Sequence, residues 1–243
     1  MINVLINLVQ SNLNDHPMKK TNFKSRRKFF SAMALGATAT SLPFLTNPAY
    51  AESDQLAELK FEEADDWFKN IKGKHRIAYD GSTPHGGLPV IWNWAFYTSN
   101  NATGSKDSEI TAMTVFRHTG LMYAFKDQIW KKYKLGEMVG INDSYTELPS
   151  LRNTVYEPKE KDFPLPGIDG VKRLQERGAL FCACDLATKV FSGMAAKSMK
   201  LDPTEVYNDW VSGLLPGVQL VPSGVWALGR AQENGCGYIF AGG

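Results

Sequence analysis

Cys182 and Cys184 stand two residues apart in "RGALFCACDLAT", at the end of an apolar run and immediately before Asp185. Cysteines in that setting offer three chemistries: a redox pair, a metal site, or one nucleophilic thiol beside an inert one. The spacing weighs against the first. Residues two apart on a strand share a face, with alpha carbons about 6.5–7 Å apart, and their beta carbons do not reach the roughly 3.8 Å that a disulfide requires. The pattern predicts Cys184 exposed at the strand end and Cys182 packed one layer below. A helix starting near Asp185 would set backbone N–H groups and a helix dipole against a Cys184 thiolate, whereas the Asp185 carboxylate would act in the opposite sense. Two inert core cysteines are the competing reading, because free thiols are commonly buried.

Other reactive side chains follow strand-like stretches: His85 after the first, Arg117 and His118 at the end of the second, Ser223 after the fourth. Cys184, His118 and His85 are the candidate catalytic residues. Cys182, Asp185, Arg117, Ser223 and Trp92 are the candidate ligand-binding residues. Arg117 would hold an anion or pair with a carboxylate, and Trp92, in an aromatic-rich helix, would line an apolar pocket or the core. Cys182, Cys184, His85 and His118 also make a four-ligand set of zinc type, or copper or iron with another geometry. They lack the short ligand spacings of a metal motif, so a metal, haem or small-ligand module is one alternative, an oligomeric accessory protein without catalysis is another, and no cofactor is required by the leading reading. Cys236, before the last strand, reads as a small buried apolar residue.

The elements that must position these residues alternate. "HRIAYDG", "EITAMTVFRHTG", "ALFCAC", "GVQLVP" and "GYIFA" read as strands, and "LPVIWNWAFYTSN", "LMYAFKDQIWKKY", "IDGVKRLQERG", "DLATKVFSGMAAKSMK", "DPTEVYNDW" and "SGVWALGRAQENG" as helices. Asp202 before Pro203, with Glu205 three residues on, is a helix start, and Ser223 is a second cap. Residues 135–167 form a long irregular insertion, a candidate lid, binding loop or oligomer contact. Short strands, apolar on both faces and separated by helices, predict a mainly parallel sheet covered on both sides. Ligands of such sheets sit beyond the carboxyl ends of the strands, where His85, His118, Cys184 and Ser223 converge.

The start of the chain predicts export. Arg26 and Arg27, a mildly apolar stretch from Phe29 to Leu45, and Ala49-Tyr50-Ala51 follow the order of a twin-arginine signal over residues 1–51, with the translocase as export partner and a periplasmic, soluble product. "MKKTNFKSRRKFF" makes Met18 the better translation start. Residues 52–74 read as an amphipathic helical lead-in, and 75–243 as the domain proper. Removing the signal leaves 192 residues, with 21 basic against 24 acidic side chains, a formal −3. That balance gives no basic patch for nucleic acid. An odd count of three cysteines is not a secreted disulfide framework.

"GALFCACDLA" resembles the cysteine-bearing strand and following helix of the DsrE family, and "LLPGVQLVPSGVWALGRAQENGCGYI" resembles that family's closing strand, helix and strand. "VFRHTG" is similar to its second-strand ending. The similarity is clearest over residues 168–241, and over 75–134 it lies mainly in the order of elements. The resemblance implies a three-layer α/β/α fold with a five-stranded parallel sheet, and frequent homo-oligomers. It further implies that Cys184 receives sulfur as a persulfide and passes it to a thiol or persulfide partner protein. Export, Cys182, Asp185 and the 135–167 insertion depart from the family pattern.

Overall fold

A computed structural model describes residues 64–242. The twin-arginine segment, Met18 and the first part of the lead-in lie outside the described residues. The rest of the lead-in is a helical turn over 64–67 that tightens into a 3-10 turn, Phe68–Asn70.

Five strands, β1 (His75–Gly81), β2 (Ile110–Phe116), β3 (Leu180–Cys184), β4 (Val218–Val221) and β5 (Gly237–Phe240), form one parallel sheet in the order β4-β3-β2-β1-β5. Between them run α1 (Leu88–Ala102), α2 (Asp127–Tyr133), α3 (Leu135–Val139), α4 (Val171–Glu176), α5 (Asp185–Met199), α6 (Pro203–Ser212) and α7 (Gly224–Glu233). This is the three-layer α/β/α architecture that the alternating pattern predicts. Among the described residues no helix is long and apolar enough to cross a membrane.

The strand order explains which face each helix covers. Right-handed crossovers that step from β1 to β4 in one direction place their helices on one face, and the return from β4 to β5 places α7 on the other. Ala227, Leu228 and Ala231 of α7 accordingly pack with Phe68 and Ile71 over Ala78, Met113, Val115 and Cys182. On the opposite face, the Asn93 side chain of α1 donates to the Ala112 carbonyl and to Thr114 Oγ1. The caps form as read: Asp202 accepts the N–H groups of Thr204 and Glu205, and Ser223 Oγ that of Trp226.

Two expectations change. Residues 121–133 are not one helix: a 3-10 turn, His118–Ala124, is followed by extended Phe125 and Lys126 and only then by α2. The break is held by side chains: the Asn153 amide, from outside the segment, donates to the carbonyls of Tyr123 and Phe125, and Trp130 Nε1, from within it, donates to that of Met122. Nor is β5 covered on both faces, since all of its residues are exposed.

The 135–167 insertion holds α3 and is then shaped by polar contacts. Arg152 bonds Asp143 at 2.6 Å and Asp162 at 2.6 and 2.7 Å, and Ser144 donates to Asp162. Phe163 and Val155 of this segment sit so close to Gly87 that a Cβ there would approach Phe163 to 2.7 Å. Gly87 also has φ near 87°, and both facts require glycine.

Candidate functional site

Cys184 is the last residue of β3 and the N-cap of α5. Neighbouring β3 and β4 send their following helices to opposite faces of the sheet, so the N-termini of α5 and α7 flank the end of β3. The Cys184 thiol lies between them. Its Sγ accepts the Ala187 N–H from the first turn of α5 at 3.3 Å, and the Gly224 N–H of α7 also bears on it. The two helix starts are tied together by the Leu186 N–H, which donates to the Pro222 carbonyl.

The thiol is buried, with the residue 6% exposed, and this corrects the expectation of an exposed strand end. The cause is the first turn of α7 lying against the strand end. That approach depends on Gly224, where a Cβ would meet Arg117 Cβ at 2.6 Å. Burial pushes the Cys184 thiol up, and the Asp185 charge adds to that push, while the N–H groups of Ala187 and Gly224 and the Arg117 guanidinium act downward. The net direction is upward, so the resting group is a thiol surrounded by donors suited to an anion.

Arg117 is placed by a partner that the sequence reading missed. Asp80, almost fully buried near the end of β1, accepts Arg117 Nε at 2.6 Å and Nη2 at 2.7 Å, and accepts the Tyr238 hydroxyl at 2.9 Å. Asp80 is the one charged residue at the inner end of an otherwise apolar strand stretch, and Arg117 follows the end of the adjacent strand. That pairing was the available signal. No local pattern marks Tyr238.

The chain matches no protein-family model, no curated protein and no solved structure. The chemistry of the site is therefore carried by its own residues.

The remaining candidates separate into neighbours and outsiders. His118 is exposed, with its ring edge-on to Phe191 of α5 at 5.9 Å, and its backbone takes φ 47°. His85 is exposed after β1 at φ 36°. Positive φ at two non-glycine residues on one sheet edge is a strained arrangement. Neither imidazole hydrogen-bonds Cys184 among the described residues. Asp185 is buried, and its carboxylate takes the Tyr207 hydroxyl at 2.5 Å and lies 3.4 Å from Lys189 Nζ, so α5 and α6 hold it. Ser223 is committed to capping α7. Trp92 lies on the outer side of α1, 40% exposed, rather than lining a pocket with the thiol.

Cys182 is fully buried in the apolar cluster under α7, which also contains Cys236, and burial pushes both thiols up. All three cysteines are free. The Cys182, Cys184, His85 and His118 ligand set is corrected as well. Among the described residues no three or more His, Cys, Asp or Glu side chains are grouped to hold a metal. Cys182 sits inside the core, whereas both imidazoles are at the surface.

Proposed function

We propose that the chain is an exported, DsrE-like sulfur-handling protein in which Cys184 accepts a sulfane sulfur and passes it on. The observation that supports this reading is the convergence on one sulfur of first-turn N–H groups from two helices, α5 and α7. Such donors favour an anionic sulfur in a site that otherwise excludes water.

In the first step the Cys184 thiol gives up its proton, which the departing donor thiolate takes up, and its sulfur attacks the terminal sulfur of a donor persulfide, R–S–SH. A bond from Cys184 to that sulfur forms, the donor's S–S bond breaks, the donor thiolate leaves with the electron pair, and the persulfide's own proton stays on the transferred sulfur. An acceptor thiolate then attacks the same sulfur and releases the Cys184 thiolate, again without net oxidation. His118, beside Phe191, and His85, along the same edge, are the groups that exchange protons with solvent in this scheme. Export through the twin-arginine translocase to the periplasm, a thiol or persulfide partner protein, and assembly into homo-oligomers belong to the same proposal.

The test uses the full chain exported by its own signal and kept from reductant. Its intact mass is recorded before and after mild reduction, and again after exposure to a low-molecular-weight persulfide. A reducible one-sulfur addition that maps to Cys184 and is lost in Cys184→Ser is expected. A chain that stays unmodified even with the persulfide would overturn the proposal.

One observation favours a second reading. Cys184 caps α5 through its sulfur, a purely structural duty. Serine can take over that duty but cannot carry sulfur, so a Cys184→Ser chain with its cellular role intact would favour the structural reading.

A further inference from the structure

The two edges of the sheet are treated differently. At one end, Val218, Leu220 and Val221 of β4 are buried. At the other, β5 reads Gly-Tyr-Ile-Phe, with Tyr238, Ile239 and Phe240 each 44–50% exposed. Proteins commonly protect a bare edge with charge, proline, a bulge or a covering element, and β5 carries neither charge nor proline.

The direction of its backbone groups follows from the register. Among the described residues β5 pairs only with β1, Tyr79 lying opposite Ile239, and the Ala241 N–H donates to the Asp80 carbonyl at 3.1 Å. Because successive residues of a strand point their peptide groups to opposite sides, Ile239 and Ala241 face β1. Tyr238 and Phe240 therefore turn both N–H and C=O away from the sheet. An extended segment is the occupant that such a row of donors and acceptors fits.

We infer that the occupant is β5 of a second copy of this chain, joined antiparallel about a two-fold axis through Ile239. The spacing is self-complementary. Tyr238 of one copy and Phe240 of the other are each outward-facing, so both symmetry-related pairs exchange N–H and C=O bonds, and Ile239 meets its own mate as the non-hydrogen-bonded pair. The absence of charge on β5 leaves no like-charge repulsion across that axis. Tyr238 is also the residue whose hydroxyl holds Asp80, so pairing would fix the strand that supports the Arg117 site. The assembly does not depend on sulfur transfer at Cys184.

The experiment measures the mass of the full chain in solution over a concentration series, for wild type, Ile239→Lys, Ile239→Asp, an equimolar mixture of these two, and Phe240→Pro. A wild-type dimer is expected, with a twofold drop in mass for each single variant and recovery of the dimer in the mixture, where opposite charges meet across the axis. Phe240→Pro removes only an outward N–H, so β1–β5 pairing survives and the dimer is lost. A monomeric wild type would overturn the inference, as would a dimer that persists in the lysine and aspartate variants. Amide exchange of Tyr238 and Phe240 completes the test. Protection in a monomer would mean that residues of the same chain fill the edge, which also defeats it.

Discussion

Arg117 meets the Asp80 carboxylate with two nearly parallel hydrogen bonds, Nε to Oδ1 at 2.6 Å and Nη2 to Oδ2 at 2.7 Å, across the ends of adjacent strands. The carboxylate is buried, while the arginine side chain remains 28% exposed. Removing the arginine therefore strands a charge that has little access to water, whereas removing the Tyr238 hydroxyl leaves the pair intact. Arg117→Met should lose on the order of 3 kcal/mol, the lower end for breaking a buried pair because Arg117 keeps some solvent. Tyr238→Phe should lose about 1 kcal/mol. Urea unfolding of the two variants checks the order, and a Tyr238→Phe loss as large as the Arg117→Met loss would contradict it.

The sulfur cap on α5 separates structure from chemistry. Sγ accepts the Ala187 N–H at 3.3 Å, the bond that a serine oxygen would make more strongly. Cys184→Ala should cost about 1 kcal/mol, typical of a lost N-cap, and Cys184→Ser should be at least as stable as Cys184→Ala. Thermal or urea unfolding decides. Equal stability of wild type and Cys184→Ala would show that the sulfur bond contributes nothing to the helix.

What was legible in the sequence was local. Ser223 and Asp202 announce their helices within a few residues, and β1 begins and ends where "HRIAYDG" does. What was not legible joins distant parts of the chain. Tyr238 reaches Asp80 across 158 positions, and the break at Phe125 exists because Asn153, 28 residues on, takes its carbonyl. The burial of Cys184 depends on how closely α7 can approach Arg117, which Gly224 permits and no strand pattern encodes. The position of the thiol at a sheet edge could be read; its enclosure could not.

Arg152 is the central fastening of the 135–167 insertion. Burial pushes Asp162 up, but Arg152, the Ser144 hydroxyl and the Lys159 N–H more than offset this and hold it below the ordinary carboxylate range. A lowered carboxyl contributes stability that is present above its unfolded value and lost as pH falls through the folded one. The insertion should thus loosen at acid pH before the sheet does. Arg152→Met leaves the enclosed Asp162 side chain without its cation, at a cost of about 3 kcal/mol, and should bring the first proteolytic cuts into residues 141–167 at neutral pH. Cuts appearing first elsewhere would show that the segment is held by other means.

Alkaline pH should act on the opposite class of groups. Tyr79 in β1 and Tyr97 in α1 are both pushed up to about 12, in each case chiefly by burial. A raised phenol binds its proton in the folded chain at a pH where the unfolded chain has released it. The unfolded state therefore holds fewer protons, and stability falls as pH rises. Their contribution is complete below about pH 10, the ordinary tyrosine value, and is lost progressively toward about 12. The three thiols, all pushed up by burial, begin the same loss from the lower ordinary thiol range. Unfolding free energy measured across this window should decline, and Tyr79→Phe should flatten its upper part, since phenylalanine has no proton to lose. An unchanged slope in Tyr79→Phe would assign the alkaline loss to other groups.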